Sequence, residues 1–410
     1  MAFCSFNRTF ALNLLICYMN KIKFLFQLWL LFTLSFSATI VSCSSSHIQI
    51  EKEVTEKTAD RVWAFAQSHP DGFTLNVRTM REVREGIAVS YAATQGSVSR
   101  SSLNAVVKHA LSHEGYGGGW VDGETGLYYF DSTRLFPEDS IVAALLFGTD
   151  NGQRCAYILS LGTEIDLHAL TEIRQRGRLL VGTTGDYRPL SFVEPETHEY
   201  WGFGIDLARL IAERLGVEVE FVPTSWPTLS NDVLSDPPTF DLALGGITIT
   251  EARKQTMLMS EGYLANGKTI LCRKEDAGRF RSLSDIDKPE VTVVVNPGGL
   301  NEAFARERLT HSNLIVHPRN EEIPNLIAEG YGDVMITEIT EAPYYVKTDE
   351  RLSAPLLSAP FTHGEIGILM RPGQEGLLVF VNAAIRKMRV DGTLRSLCEK
   401  YGLIYSEIKG

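Results

Sequence analysis

The sequence predicts an α/β protein of two lobes, entered through a small α+β module and a hydrophobic leader. Two observations carry the α/β reading. From about Asp166 onward, short apolar runs alternate with segments of helical period, which implies parallel sheets and right-handed crossovers. Some of these runs also read as buried strands, Leu179-Leu180-Val181 and Val334-Met335-Ile336 among them. At 410 residues the chain has room for two or three domains. A net charge of −11 argues against nucleic acid as a partner.

Residues 1–46 read as an export leader. Lys21 and Lys23 precede an apolar run from Phe24 to Val41, which ends in Ser42-Cys43-Ser44-Ser45-Ser46. This is the layout of a secretory signal, with Met19 directly before the basic pair. Ile40-Val41-Ser42-Cys43 resembles a lipobox, so Cys43 is the expected lipidation site and a lipid anchor the expected membrane contact; ordinary cleavage near Ala38, or an uncleaved N-terminal anchor helix, is the alternative. The expected location is exported and periplasmic. No later stretch is long enough to cross a membrane.

Residues 50–165 are expected to form the α+β module. Val54 to Ser68 and Ser102 to His113 have helical period, and Phe73 to Val77 and Gly86 to Tyr91 read as strands. Gly117 to Val121 and Leu127 to Phe130 form a hairpin pattern around Asp122-Gly123-Glu124. Ser140 to Phe147 is a third helix and Cys155 to Leu161 a closing strand. His109 and His113 have metal-ligand spacing but no recognisable third ligand, so they read as a surface pair. The six cysteines show no metal or disulfide framework. Cys4 and Cys17 fall in the leader; whether Cys272 pairs with Cys398, leaving Cys155 free, is open from spacing alone.

The third segment, 168–410, carries the chemistry. Arg178 to Thr184 is a buried strand running into the loop Gly185 to Phe192, and Trp201 to Asp206 opens a helix through Leu215. Val217 to Val222 is the next strand, followed by Thr224-Ser225-Trp226-Pro227. Asp241 to Gly246 leads to Ile247 through Arg253. The segment Gly330 to Ala342 reads as turn, strand and helix start, with Val334-Met335-Ile336 buried and Thr337 as N-cap. Glu338 and Glu341 would then share the first helical turn. Acids there suit the helix dipole whatever else they do. They also lie beyond a strand's carboxyl end, where α/β sheets bind ligands.

These residues resemble the type II periplasmic solute-binding proteins, and within them the cyclohexadienyl dehydratases, exported enzymes that act on prephenate and arogenate. The matching stretches are Thr183-Thr184-Gly185-Asp186-Tyr187, Pro223 to Pro227, Asn266-Gly267-Lys268-Thr269, Asn296-Pro297-Gly298-Gly299, Val316-His317-Pro318 and the Val334–Glu341 element. They span about 170–405, with the module at 50–165 outside them. The resemblance implies two α/β lobes, about 168–270 plus 370–410 and about 273–363. It implies hinge strands near Thr269–Cys272 and Glu365–Leu369, and a substrate cleft between the lobes.

It also implies roles. Glu341 is the expected proton donor, with Lys268 and Asn296 orienting the ring substituents. Arg253 is expected to fork onto the substrate carboxylate, helped by Thr248 and the amides around Gly246 and Gly298. Tyr187 and Trp226 would wall the ring, Asp186 would bind substrate, and Glu338 would meet an amine. No metal or organic cofactor is implied. In two places the sequence departs from the pattern: Glu338 stands where relatives carry aspartate, and Leu300 replaces a hydroxyl residue. A non-enzymatic amino-acid-binding lipoprotein would share the fold, Arg253 and the amine-side acid. Glu341, Lys268 and Trp226 would separate the two readings. An adaptor whose N-terminal module binds a partner is a third reading.

Overall fold

The structure is a computed structural model that describes residues 49–405. The leader and Cys43 lie outside the described residues. The chain forms two compact units, one comprising described residues up to Val83 together with Thr94–Thr133, the other Arg84–Ala93 together with Arg134 onward.

In the first unit, a helix over 49–67 and a helix Arg100–Ser112 cover antiparallel strands. Ser99 opens the second helix by a reciprocal capping box with Ser102. Phe73–Asn76 pairs with Tyr116–Val121, which turns at Asp122 into the strand Tyr128–Phe136, as the hairpin pattern predicts. Leu75, Leu103, Val106, Val107 and Phe130 fill the core. The rings of His109 and His113 stack with centroids 4.0 Å apart, and His109 Nδ1 lies 3.0 Å from Ser132 Oγ.

The second unit holds two five-stranded sheets, one in each lobe. In lobe one, Arg178–Thr183 lies between Glu218–Pro223 at the edge and Leu242–Ala243 at the centre, parallel to both. Leu369–Met370 and Leu258–Met259 complete it with antiparallel pairings. The helices Phe203–Leu215 and Glu375–Val390 each bury a full apolar face on this sheet's core. In lobe two the order is Asn313–Val316, Thr292–Val295, Val334–Glu338, Lys268–Arg273, Leu352–Ser353.

Three expectations are corrected. The segment 134–165 does not belong with the N-terminal module: Phe136, Ala144, Leu145, Ala156 and Ile165 share one core with Leu377, Phe380 and Val381 of the helix Glu375–Val390. Thr269–Cys272 is not a hinge strand but the middle of a lobe-two strand, drawn in by its pairing with Val334–Glu338. The two-stranded connection is Leu264–Asn266 with Gly364–Ile366, a few residues earlier on the first pass. Thr337 is not an N-cap, because the strand continues through Glu338; the helix begins at Ala342, with Pro343 in its first turn and Glu341 at the N-cap position.

Cys155, Cys272 and Cys398 are free thiols. Cys272 is buried in the lobe-two core and Cys398 in the lobe-one core, which rules out their pairing. Among the described residues no helix is long and apolar enough to cross a membrane.

Candidate active site

The carboxyl ends of the strands in both lobes converge on one cavity. It is lined by Tyr187, Trp226, Gly246, Thr248 and Arg253 from lobe one. Lobe two supplies Lys268, Asn296, Gly299, Leu300, Asn301 and Glu338. Eight of the expected site residues thus meet on one wall, while Asp186, Gly298 and Glu341 stand off it.

Glu338 is the hub. It faces Lys268 directly across the antiparallel pair, and Lys268 Nζ reaches its Oε1 at 2.6 Å. Thr248 Oγ1 approaches the same oxygen at 3.3 Å, and the Tyr187 hydroxyl donates a short bond to Oε2. The side chains of Lys268 and Glu338 are 8% and 6% exposed, so this is a buried ion pair. Burial alone would raise the Glu338 carboxyl; the Lys268 ammonium and its hydrogen bond, with Tyr187, outweigh burial and hold it below the ordinary range. Lys268 gives a second bond to Asn301 Oδ1 at 2.6 Å, and Asn301 Nδ2 lies 3.5 Å from Asn296 Oδ1.

Glu341 is the opposite case. Its carboxyl is fully buried one layer behind the wall, accepting from Asn320 Nδ2 at 2.8 Å and from the Thr337 hydroxyl. Burial pushes it up to about 8; the two donors offset part of this, and the neighbouring Glu338 and Asp186 add to it. Two carboxyls three residues apart are therefore pushed in opposite directions, Glu338 toward its ionised form and Glu341 toward its protonated form. Environments that split a pair in this way divide acid from base roles in enzymes.

Arg253 lines the cavity with Nη1 tied to the Thr248 carbonyl at 2.6 Å, which fixes the guanidinium plane. Gly246 has φ +112, and a Cβ there would come within 2.4 Å of the Tyr187 ring, so the close backbone approach requires glycine. The Tyr187 and Trp226 rings meet edge to face at 5.7 Å.

Two assignments change. Asp186 does not line the cavity; its Oδ1 accepts from Trp226 Nε1 at 3.1 Å, so it orients the indole wall. Gly298 is not a free amide donor: its N–H is taken by Glu302 Oε2 at 2.7 Å, at the start of the helix Leu300–Arg308. Asn301 and Asn320 were not foreseen. Asn301 left a weak trace, sharing with Ala305 the inward face of that helix at four-residue spacing. Asn320 opens a single 3-10 turn, Asn320–Glu322, too short to show a period, and left none.

Residues 179–404 match the model of bacterial extracellular solute-binding proteins, family 3. The chain is 37% identical over 246 residues to cyclohexadienyl dehydratase of Pseudomonas aeruginosa, covering 60% of this chain and 90% of that protein. It is 28% identical over 244 residues to the L-cystine-binding protein TcyJ of Escherichia coli K12, covering 59% and 89% of the two chains. Among solved structures, the ancestral amino acid-binding protein AncCDT-1, described as a precursor of cyclohexadienyl dehydratase, is similar. Its TM-score is 0.53 at 38% identity, covering 57% of this chain and 98% of that one. The two-lobed fold and the matched span agree: the chain belongs to the bacterial extracellular solute-binding proteins of family 3.

Proposed function

We propose that the chain is an exported cyclohexadienyl dehydratase, converting prephenate to phenylpyruvate and arogenate to phenylalanine. The observation that carries this reading is the fully buried carboxyl of Glu341, which its surroundings push toward the protonated form, beside a Glu338 ion-paired with Lys268. A binder of amino acids needs an ionised acid for the ligand amine and has no use for a second acid kept neutral. In the reaction, the bond between the ring carbon and its carboxylate breaks and CO2 leaves. The electron pair enters the ring, and the ring hydroxyl departs with the Glu341 proton as water. Aromatisation drives the step, and a placed general acid contributes about 10²- to 10⁴-fold. Arg253 anchors the side-chain carboxylate, and Trp226 and Tyr187 wall the ring. Lys268 and Asn296 orient the ring substituents. Glu341 stands off the cavity wall, so its carboxyl must turn toward the cavity to reach the ring hydroxyl.

Non-enzymatic amino-acid binding is the second reading. It is favoured by one observation: the cavity wall itself presents Arg253 and Glu338, the pair an amino acid requires, without Glu341. Export by the leader, with a lipid anchor at Cys43, belongs to both readings. Incubating the full chain with prephenate and following phenylpyruvate by its alkaline absorbance separates them.

A further inference from the structure

Behind the cavity wall, one buried amide ties the two lobes together. Asn320 lies in lobe two, is 1% exposed, and donates through Nδ2 to Glu341 Oε1 at 2.8 Å. The same Nδ2 donates to the main-chain carbonyl of Asp186 in lobe one at 3.2 Å. Its own Oδ1 is buried without a hydrogen-bond partner among the described residues. A buried acceptor left unpaired is costly and calls for an explanation. Turning the amide over would set Oδ1 against the oxygen of the Asp186 carbonyl. The Asp186 carbonyl can only accept, so it dictates which way the amide points.

That orientation bears on the acid. A protonated carboxyl has one oxygen that carries hydrogen and one that does not. Oε1 receives the Asn320 N–H, which can only donate; Oε2 meets the Thr337 hydroxyl, which donates to the carboxylate and can turn to accept once the carboxyl is protonated, so Oε2 is the oxygen that carries the proton. We propose that Asn320 is a positioning residue for the Glu341 acid: held by the Asp186 carbonyl of the opposite lobe, it occupies Oε1 and confines the transferable proton to Oε2. Because the Asp186 carbonyl belongs to the other lobe, the arrangement is complete only while the lobes are apposed. Released from it, the amide can flip and accept the Glu341 proton on Oδ1, withholding it from substrate. This rests on the dehydratase reading for its catalytic meaning, but the placement of the proton does not.

Other groups bear on the Glu341 carboxyl. Glu338 and Asp186 disfavour its ionised form, Thr337 and Asn320 favour it by hydrogen bonds, and the Tyr187 and Tyr345 hydroxyls lie within electrostatic reach. Arg188 acts on the same Tyr345, and Glu321 on Asp186. None of these is altered by substituting Asn320.

The test uses the full chain and two variants, Asn320→Ser and the isosteric Asn320→Asp. The infrared carbonyl band of protonated Glu341, identified by its absence in Glu341→Gln, is titrated in each. With the donor to Oε1 gone, the band of Asn320→Ser should shift in frequency and its midpoint move to higher pH than in the parent. In Asn320→Asp a second carboxyl faces Glu341, and the midpoint should again rise. Turnover of prephenate should fall about 10-fold or more in kcat with little change in KM, and the basic limb of kcat should follow the infrared midpoint. An unchanged band and midpoint in folded variants overturns the proposal, as does a loss seen only in KM. If the parent turns over neither substrate, the dehydratase reading fails, and the infrared titration still decides where the proton sits.

Discussion

The hydroxyl of Tyr187 in lobe one donates to the carboxylate of Glu338 in lobe two, which Lys268 holds from the other side at 2.6 Å. One carboxylate thus joins the lobes and neutralises the cavity's buried ammonium. Removing a single partner from a buried ion pair leaves the other charge uncompensated, at a cost of about 3–5 kcal/mol. Lys268→Met should therefore destabilise the solute-binding unit by that order, and Tyr187→Phe by about 1–3 kcal/mol for the lost bond to a buried acceptor. Denaturant unfolding of both variants beside the parent checks the ranking; equal, negligible effects would mean that the pair is solvated.

The neutral carboxyl of Glu341 makes a prediction about pH. Below its ordinary value of 4.5, folded and unfolded chains both hold the proton; between 4.5 and about 8, only the folded chain does. The folded state binds more protons in that window, so stability should fall as pH rises from about 4.5 to 8 and level off above. Glu341→Gln should remove this slope, leaving a flatter profile across the same window. Denaturation midpoints measured at intervals from pH 4.5 to 9 test it, and a variant with the parent's slope would contradict the buried, protonated assignment.

Much of the cavity was legible through the family resemblance, whose short motifs lie just beyond strand ends. Thr224-Ser225-Trp226-Pro227, Asn296-Pro297-Gly298-Gly299 and the Glu338/Glu341 spacing each placed at least one residue at or behind the wall. What failed was non-local. The strand Lys268–Arg273 is apolar enough to serve as hinge or sheet, and only its pairing with Val334–Glu338 decides. That same pairing carries the strand past Thr337 and pushes the helix start to Ala342, which Pro343 marked in the sequence. The position of 134–165 depended on which surface its helix Ile141–Asp150 covers, and an apolar helix does not name its partner.

That placement yields a third prediction. A chain begun at residue 166 would lose Phe136, Ala144, Leu145, Ala156 and Ile165 from the core that holds Leu377 and Phe380. Each large apolar side chain removed from a core costs about 2–5 kcal/mol, and marginal stability does not absorb several. The truncated chain should unfold at lower denaturant than the full chain or fail to fold. A truncated chain as stable as the parent would show that the segment 134–165 merely rests on the unit.

Substrate choice follows from how Glu338 is engaged. Its oxygens already accept from Tyr187, Lys268 and Thr248, so a substrate ammonium must compete for what remains. Glu338→Asp withdraws the carboxylate by about one methylene, loosening its hold on lobe one and leaving an oxygen for the amine. kcat/KM for arogenate should rise relative to prephenate, by up to roughly 10- to 150-fold for a charge-assisted bond of about 1.5–3 kcal/mol. Parallel assays of both substrates check this; equal effects on both would show that Glu338 does not face the amine.

The most direct test of the central claim compares the full chain with Glu341→Gln on prephenate, at saturating and limiting concentrations. The dehydratase account predicts phenylpyruvate from the parent and a kcat at least about 10²-fold lower in the variant, with KM little changed, because only the transferable proton is lost. Turnover by the variant at the parent's rate, or ligand binding by the parent without any phenylpyruvate, would contradict it.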